Sequence, residues 1–144
     1  MSVERSFPGP LEVVTALLDA TNLHDLEALT ACFAPDYSLE MPAHPDRSFR
    51  GVEQVRRNWS MFFTSIPDLS ARMLAAVESG PEVWSEWEMA GTRNDRSSHE
   101  MRGIMIFTVS EGLIRSCRFY LEPVERVTGD IDDAVRHASL GGPS

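Results

Sequence analysis

Glu86 and Glu88 lie two residues apart in a stretch, Val83 to Ala90, that alternates as a β-strand does. Side chains at i and i+2 of a strand share a face, so the two carboxylates would sit roughly 6.5–7 Å apart along it. In an apolar cavity, repulsion and desolvation raise the pKa of at least one of them. One can then act as acid and the other as base. The same pattern permits the opposite reading, with Trp87 and Met89 in a core and both glutamates in water. Glu40 poses the same choice: a base if it faces inward, solvated if Tyr37, Leu39 and Met41 do. Three inward carboxylates in one cavity would need protons, a cationic partner or a metal. His99 shares a strand face with Met101, Gly103, Met105 and Phe107. Its imidazole suits a general base near neutral pH, and it suits equally a strand-end residue at a rim. His44 stands in a Pro-rich loop, either over a pocket mouth or simply exposed; His24 and His137 carry no signal.

The remaining chemistry-bearing patterns are absent. There is no phosphate loop or dinucleotide fingerprint, no legible Ser-His-Asp or Cys-His arrangement, and the histidines are too scattered for a zinc site. A cofactor-free, metal-free activity follows as the expectation. Cys32 and Cys117 have apolar neighbours and read as small core residues, not a disulfide.

The elements that must position these residues can be read from spacing. Leu11, Val14, Leu17 and Leu18 predict a helix from Pro10 to Thr21, broken at Asn22. Asp25 caps a second helix carrying Leu26, Leu29 and Phe33, stopped by Ala34-Pro35-Asp36. Tyr37 to Met41 is a strand. Val52, Val55, Trp59 and Phe62 mark a third helix, Val52 to Phe63, with Trp59 a candidate pocket wall. Four strands then follow with short turns: Leu69–Val77, Val83–Ala90, His99–Val109 and Leu113–Leu121. The last places Cys117, Phe119 and Leu121 on one face, Arg118 and Tyr120 on the other. Residues 1–10 read as a flexible start, 11–123 as the domain, and 124–144 as a tail with a possible helix at Asp130–Leu140. Helices gathered at one end of a curved antiparallel sheet define an α+β cone with a pocket at its mouth. Met101 and Met105 suit an irregular apolar guest, or simply a core.

The chain has 144 residues and a formal net charge of −9, enough for one core and poorly matched to nucleic acid or an anionic membrane. With no apolar leader in Met1 to Pro10, the expected location is the cytoplasm.

The ordered motifs resemble those of the SnoaL-like, nuclear transport factor two-like superfamily. Leu26–Phe33 with Ala34-Pro35-Asp36 is similar to its opening helix and turn, and Phe49-Arg50-Gly51-Val52-Glu53-Gln54-Val55 to the start of its third helix. Ile66-Pro67-Asp68-Leu69, Trp87-Glu88-Met89-Ala90-Gly91-Thr92, Arg102-Gly103-Ile104, Ser110–Ile114 and Phe119–Pro123 follow in its order. The resemblance implies a small hydrophobic guest of polyketide, terpenoid or steroid type. It also implies cyclase, isomerase, dehydratase or epoxide-hydrolase chemistry, or a non-catalytic carrier or interaction module. A homodimer through the outer sheet face, which would carry Arg118 and Tyr120, is implied as well. In the cyclases and hydrolases an essential acid occupies the Phe119 position, which is a departure here. The hydrolases carry pocket-facing groups at positions matching Ser38, Glu40, Glu86 and Glu88. The catalytic candidates are therefore Glu88, Glu86 and Glu40; the pocket candidates are Trp59, His99, Met101, Met105, Cys117 and Phe119.

Overall fold

The computed structural model describes residues 6–126 and 129–141. In chain order the elements are α1 (Pro10–Leu23), α2 (Leu26–Thr30), β1 (Phe33–Glu40), a 3-10 turn (Pro45–Arg47), β2 (Phe49–Arg50), α3 (Val52–Ser65), β3 (Ser70–Ser79), β4 (Glu82–Thr92), β5 (Ser98–Ser110), β6 (Leu113–Pro123) and α4 (Ile131–Leu140). They form an α+β fold around one mixed sheet, ordered β2-β1-β6-β5-β4-β3.

The four-strand run is the antiparallel meander that its turns predict. The expectation of a wholly antiparallel sheet needs correction. Strand β1 joins β6 in parallel, with Leu39 opposite Cys117 and Glu40 opposite Arg118. Alternation records which side chains share a face and says nothing of strand direction. Nor does the sheet close into a barrel: β2 and β3 remain as its edges. The β2 edge is two residues long. The β3 edge is engaged by Asn22 of α1, which accepts from the Ala71 N–H at 2.7 Å and donates to its carbonyl at 3.0 Å.

Asn22 therefore continues α1 rather than breaking it, and His24 ends the helix in the left-handed conformation at φ 54°. Asp25 caps α2 as its side chain suggests, accepting from Ala28 N–H at 3.0 Å. Phe33 to Asp36, expected at the helix end, already belongs to β1. There Phe33 and Ala34 are buried, and burial outweighs the helix-like spacing. Residues 7 and 8, within the start expected to be flexible, pack beside Gly112 in the β5–β6 turn. The C-terminal helix forms with a reciprocal Asp130–Asp133 capping box.

The core lies between the concave sheet face and α1. Val13, Val14 and Leu17 meet Val83, Trp87, Phe107 and Ile114, all buried. Trp87 donates its indole N–H to Ser85 at 2.7 Å, and Ser85 donates to the Met105 carbonyl at 2.7 Å, so this buried polar pair is satisfied. Gly103 stands in the middle of β5 at φ 154°, where an added Cβ would strike the Tyr120 backbone. Gly103→Ala is expected to cost roughly 2–4 kcal/mol through strain and strand separation, checked by equilibrium urea unfolding.

Candidate functional site

A cavity of about 280 Å³ opens between the concave sheet and α3. Its floor and walls come from Tyr37 and Leu39 of β1, Met89 of β4, Met101 of β5, and Phe119 and Leu121 of β6. These residues share the inner face because each strand alternates in register: Met89 faces Met101, and Met105 faces Phe119. Helix α3 supplies Val55, Asn58, Trp59 and Phe62, one stripe at i, i+3, i+4 and i+7. Arg47 and Phe49, from the segment before α3, complete the rim.

The aromatic residues at the mouth interlock. Trp59 meets Phe62 edge-on at 5.3 Å, and Phe62 lies 6.4 Å from the His99 ring at the start of β5. His24 stacks on Phe63 at 4.4 Å and bonds the Leu69 carbonyl at 2.8 Å, anchoring the end of α3. Sequence spacing gave His24 no role because both partners are distant in the chain.

The choice of Glu40, Glu86 and Glu88 as catalytic candidates is corrected, because of the two orientations their spacing allows the structure takes the outward one. All three project from the convex face. Glu88 is bound by Arg102 and lies 3.6 Å from Arg72. These are its register partners across β3, β4 and β5. The Arg102 hydrogen bond first, then the charges of Arg102 and Arg72, holds the Glu88 carboxyl below the usual glutamate range. Glu86 is exposed, opposite Ile104, and Glu40 is exposed, opposite Arg118. Burying Trp87 and Met89 decides the register, because a one-residue slip would trade them for two carboxylates.

Of the pocket candidates, Trp59, His99, Met101 and Phe119 line the cavity. Met105 and Cys117 share that face but lie deeper, fully packed in the core. Burial pushes the Cys117 thiol up to about 12, so it is no thiolate nucleophile at neutral pH. Burial also pushes the neighbouring Tyr37 phenol well up. His44 is at the loop over the outer rim, 2.8 Å from Glu122. Among the described residues, no three His, Cys, Asp or Glu converge to hold a metal.

His99 is the imidazole of the cavity wall. Burial, and then the charge of Arg93, lowers its pKa, so the neutral ring prevails at pH 7. Arg93 Nη2 lies 3.4 Å from His99 Nδ1. A guanidinium only donates, so Nδ1 accepts and the ring proton sits on Nε2. His99 thus offers an N–H, not the lone pair of a base. Asn58 and Arg47 were not singled out by the sequence reading. Asn58 carried one legible signal, a polar residue inside the apolar stripe of α3.

Helices capping the concave face of a curved sheet around such a cavity define the nuclear transport factor two-like class of fold. The chain belongs to the SnoaL-like family, whose domain matches residues 14–117. Among curated proteins no sequence matches it. A loop-truncation variant of IdmH is similar, with 25% identity, 78% of this chain and 92% of that one covered, and a TM-score of 0.67. SalBIII, an epoxide hydrolase/cyclase-like enzyme with a role in pyran ring formation in the polyether salinomycin, shares the fold at 19% identity. Its coverage is 78% and 90%, with a TM-score of 0.69. A ketosteroid isomerase-like protein from Catenulispora acidiphila, bound to trimethylamine, does so at 20% identity, 80% and 87% coverage and a TM-score of 0.66. Among the described residues, no helix is long and apolar enough to cross a membrane.

The outward Glu88 gives a pH test. Its carboxyl is depressed in the folded state, so pairing stabilises above the ordinary glutamate pKa and is lost as pH falls through the lowered one. Wild type is therefore expected to be more stable than Glu88→Gln at pH 7, with the gap closing towards pH ~3. Urea unfolding across that range checks it.

Proposed function

We propose that this SnoaL-like protein binds one compact, mainly apolar molecule and acts on it without a cofactor. His99 is the polar group that assists the chemistry. The observation that carries this reading is the cavity itself: apolar walls from four strands and α3, with a neutral imidazole at the mouth. At about 280 Å³ it stands at the low end of the roughly 300–1,000 Å³ common for ligand pockets. That size favours a terpenoid- or polyketide-derived ring over a long chain. An Nε2–H donor in an apolar site stabilises oxygen as it gains negative charge. Ring closure and isomerisation both develop such charge, and the fold shared with SalBIII supports that class of reaction.

A carrier without chemistry is the second reading. It is favoured by Phe119 and by the lack of a carboxylate on the described cavity wall. The two separate by experiment. A thermal-shift screen of ring compounds identifies guests, because binding stabilises the native state. Mass spectrometry of the guests after incubation then reports turnover. His99→Gln, which keeps an N–H donor, is expected to retain most turnover; His99→Leu is expected to lose about 10²-fold or more while still binding. Guests recovered unchanged from wild type would leave the carrier.

The outer face supports a homodimer, with Val77, Trp84 and Tyr120 exposed around Arg118. Trp84→Glu is expected to shift sedimentation from dimer to monomer without unfolding the chain.

A further inference from the structure

The direction of hydrogen bonding in α3 reaches the cavity wall. Arg57 Nη2 donates to Gln54 Oε1 at 2.6 Å, and Gln54 Nε2 donates to Asn58 Oδ1 at 2.7 Å. Amide oxygen and nitrogen are assigned by their partners, and here the first partner is decisive. A guanidinium has no acceptor, so Gln54 must turn its oxygen to Arg57. Its NH₂ is then committed to the Asn58 oxygen. Asn58, on the cavity wall, is left with its NH₂, which has no acceptor among the described residues.

The other nitrogen groups on the wall have the same polarity. Trp59 Nε1 is a donor only and has no acceptor among the described residues. The Arg47 guanidinium, at the rim, has no carboxylate or carbonyl partner among them. His99 presents Nε2–H, because Arg93 occupies Nδ1. Tyr37, a buried residue of the same wall, adds a hydroxyl that can donate or accept. The wall is apolar with N–H donors and no carboxylate.

Resting on the small-molecule reading above, we propose that the guest carries a carbonyl-type oxygen, which Asn58 and Trp59 bind at the α3 wall. A guest lacking that oxygen leaves the donors unpaired once water is displaced, and a guest offering N–H there meets donors head-on. The Arg57–Gln54–Asn58 relay is thus a specificity device: Gln54 and Arg57 position the Asn58 amide without touching the guest.

The test uses matched probes on two skeletons, camphor against bornylamine and 2-adamantanone against 2-aminoadamantane, titrated calorimetrically. Wild type is expected to favour each ketone at least about fivefold, the worth of one net hydrogen bond. Gln54→Glu accepts from both neighbours, so Asn58 must turn its NH₂ to Glu and its oxygen to the cavity. The ketone preference is expected to vanish or invert. Gln54→Leu, which releases the amide without adding charge, is expected to abolish the preference without inverting it. A bornane carboxylate distinguishes the two oxygen sources, since Arg47→Gln should weaken it severalfold more than it weakens camphor. Amines binding as tightly as ketones to wild type, or an unchanged ratio in Gln54→Glu, would overturn the proposal. Failure of every probe to bind would instead reject the small-molecule reading, and this inference with it.

Discussion

The structure depends on the burial of one face of β4, β5 and β6. Val83, Ser85, Trp87 and Met89 point inward with Met105, Phe107, Cys117 and Leu121, and all are buried. Burying each large apolar side chain contributes roughly 1.5–3 kcal/mol. A slip of one residue would put Glu86, Glu88, Arg102 and Arg118 inside, where unpaired charges are far more costly than those gains. The register is thereby fixed, and with it every assignment of inside and outside.

The same constraint divides the molecule's electrostatics. On the convex face the charges pair across strands: Glu88 with Arg72 and Arg102, Glu82 with Arg118 at 3.6 Å. Half-exposed pairs of this sort contribute little to stability, but they keep the acidic chain's carboxylates in water. On the concave face the polar groups are few, and the orientation of two of them traces to an arginine, which can only donate. Arg93 sets the His99 tautomer and Arg57 sets the Gln54 amide. Two exposed arginines outside the cavity thus dictate which hydrogen-bonding groups it presents.

The cavity lies between α3 and the sheet. Its bulky Trp59 and Phe62 stand at the mouth, while the residues below them are methionines and Phe119. Gly103 lets β5 and β6 approach where a Cβ would collide with Tyr120.

Much of this was legible in the chain. Strand alternation, the 3.6-residue stripe of α3 and the short turns between the last four strands predicted an α+β fold with a meander, and the ordered motifs pointed to the SnoaL-like fold. Trp59, His99, Met101 and Phe119 were legible as cavity wall because they fall on apolar faces. Glu40, Glu86 and Glu88 were not resolvable: periodicity shows that residues share a face, and only packing against α1 and α3 shows which face that is. The parallel pairing of β1 with β6, the tautomer of His99 and the donor polarity of Asn58 depend on contacts between segments far apart in sequence, or on hydrogen-bond direction within a formed helix. Local spacing determines elements and faces through short-range sterics. Direction, orientation and proton position are set by partners that only the folded chain brings within reach.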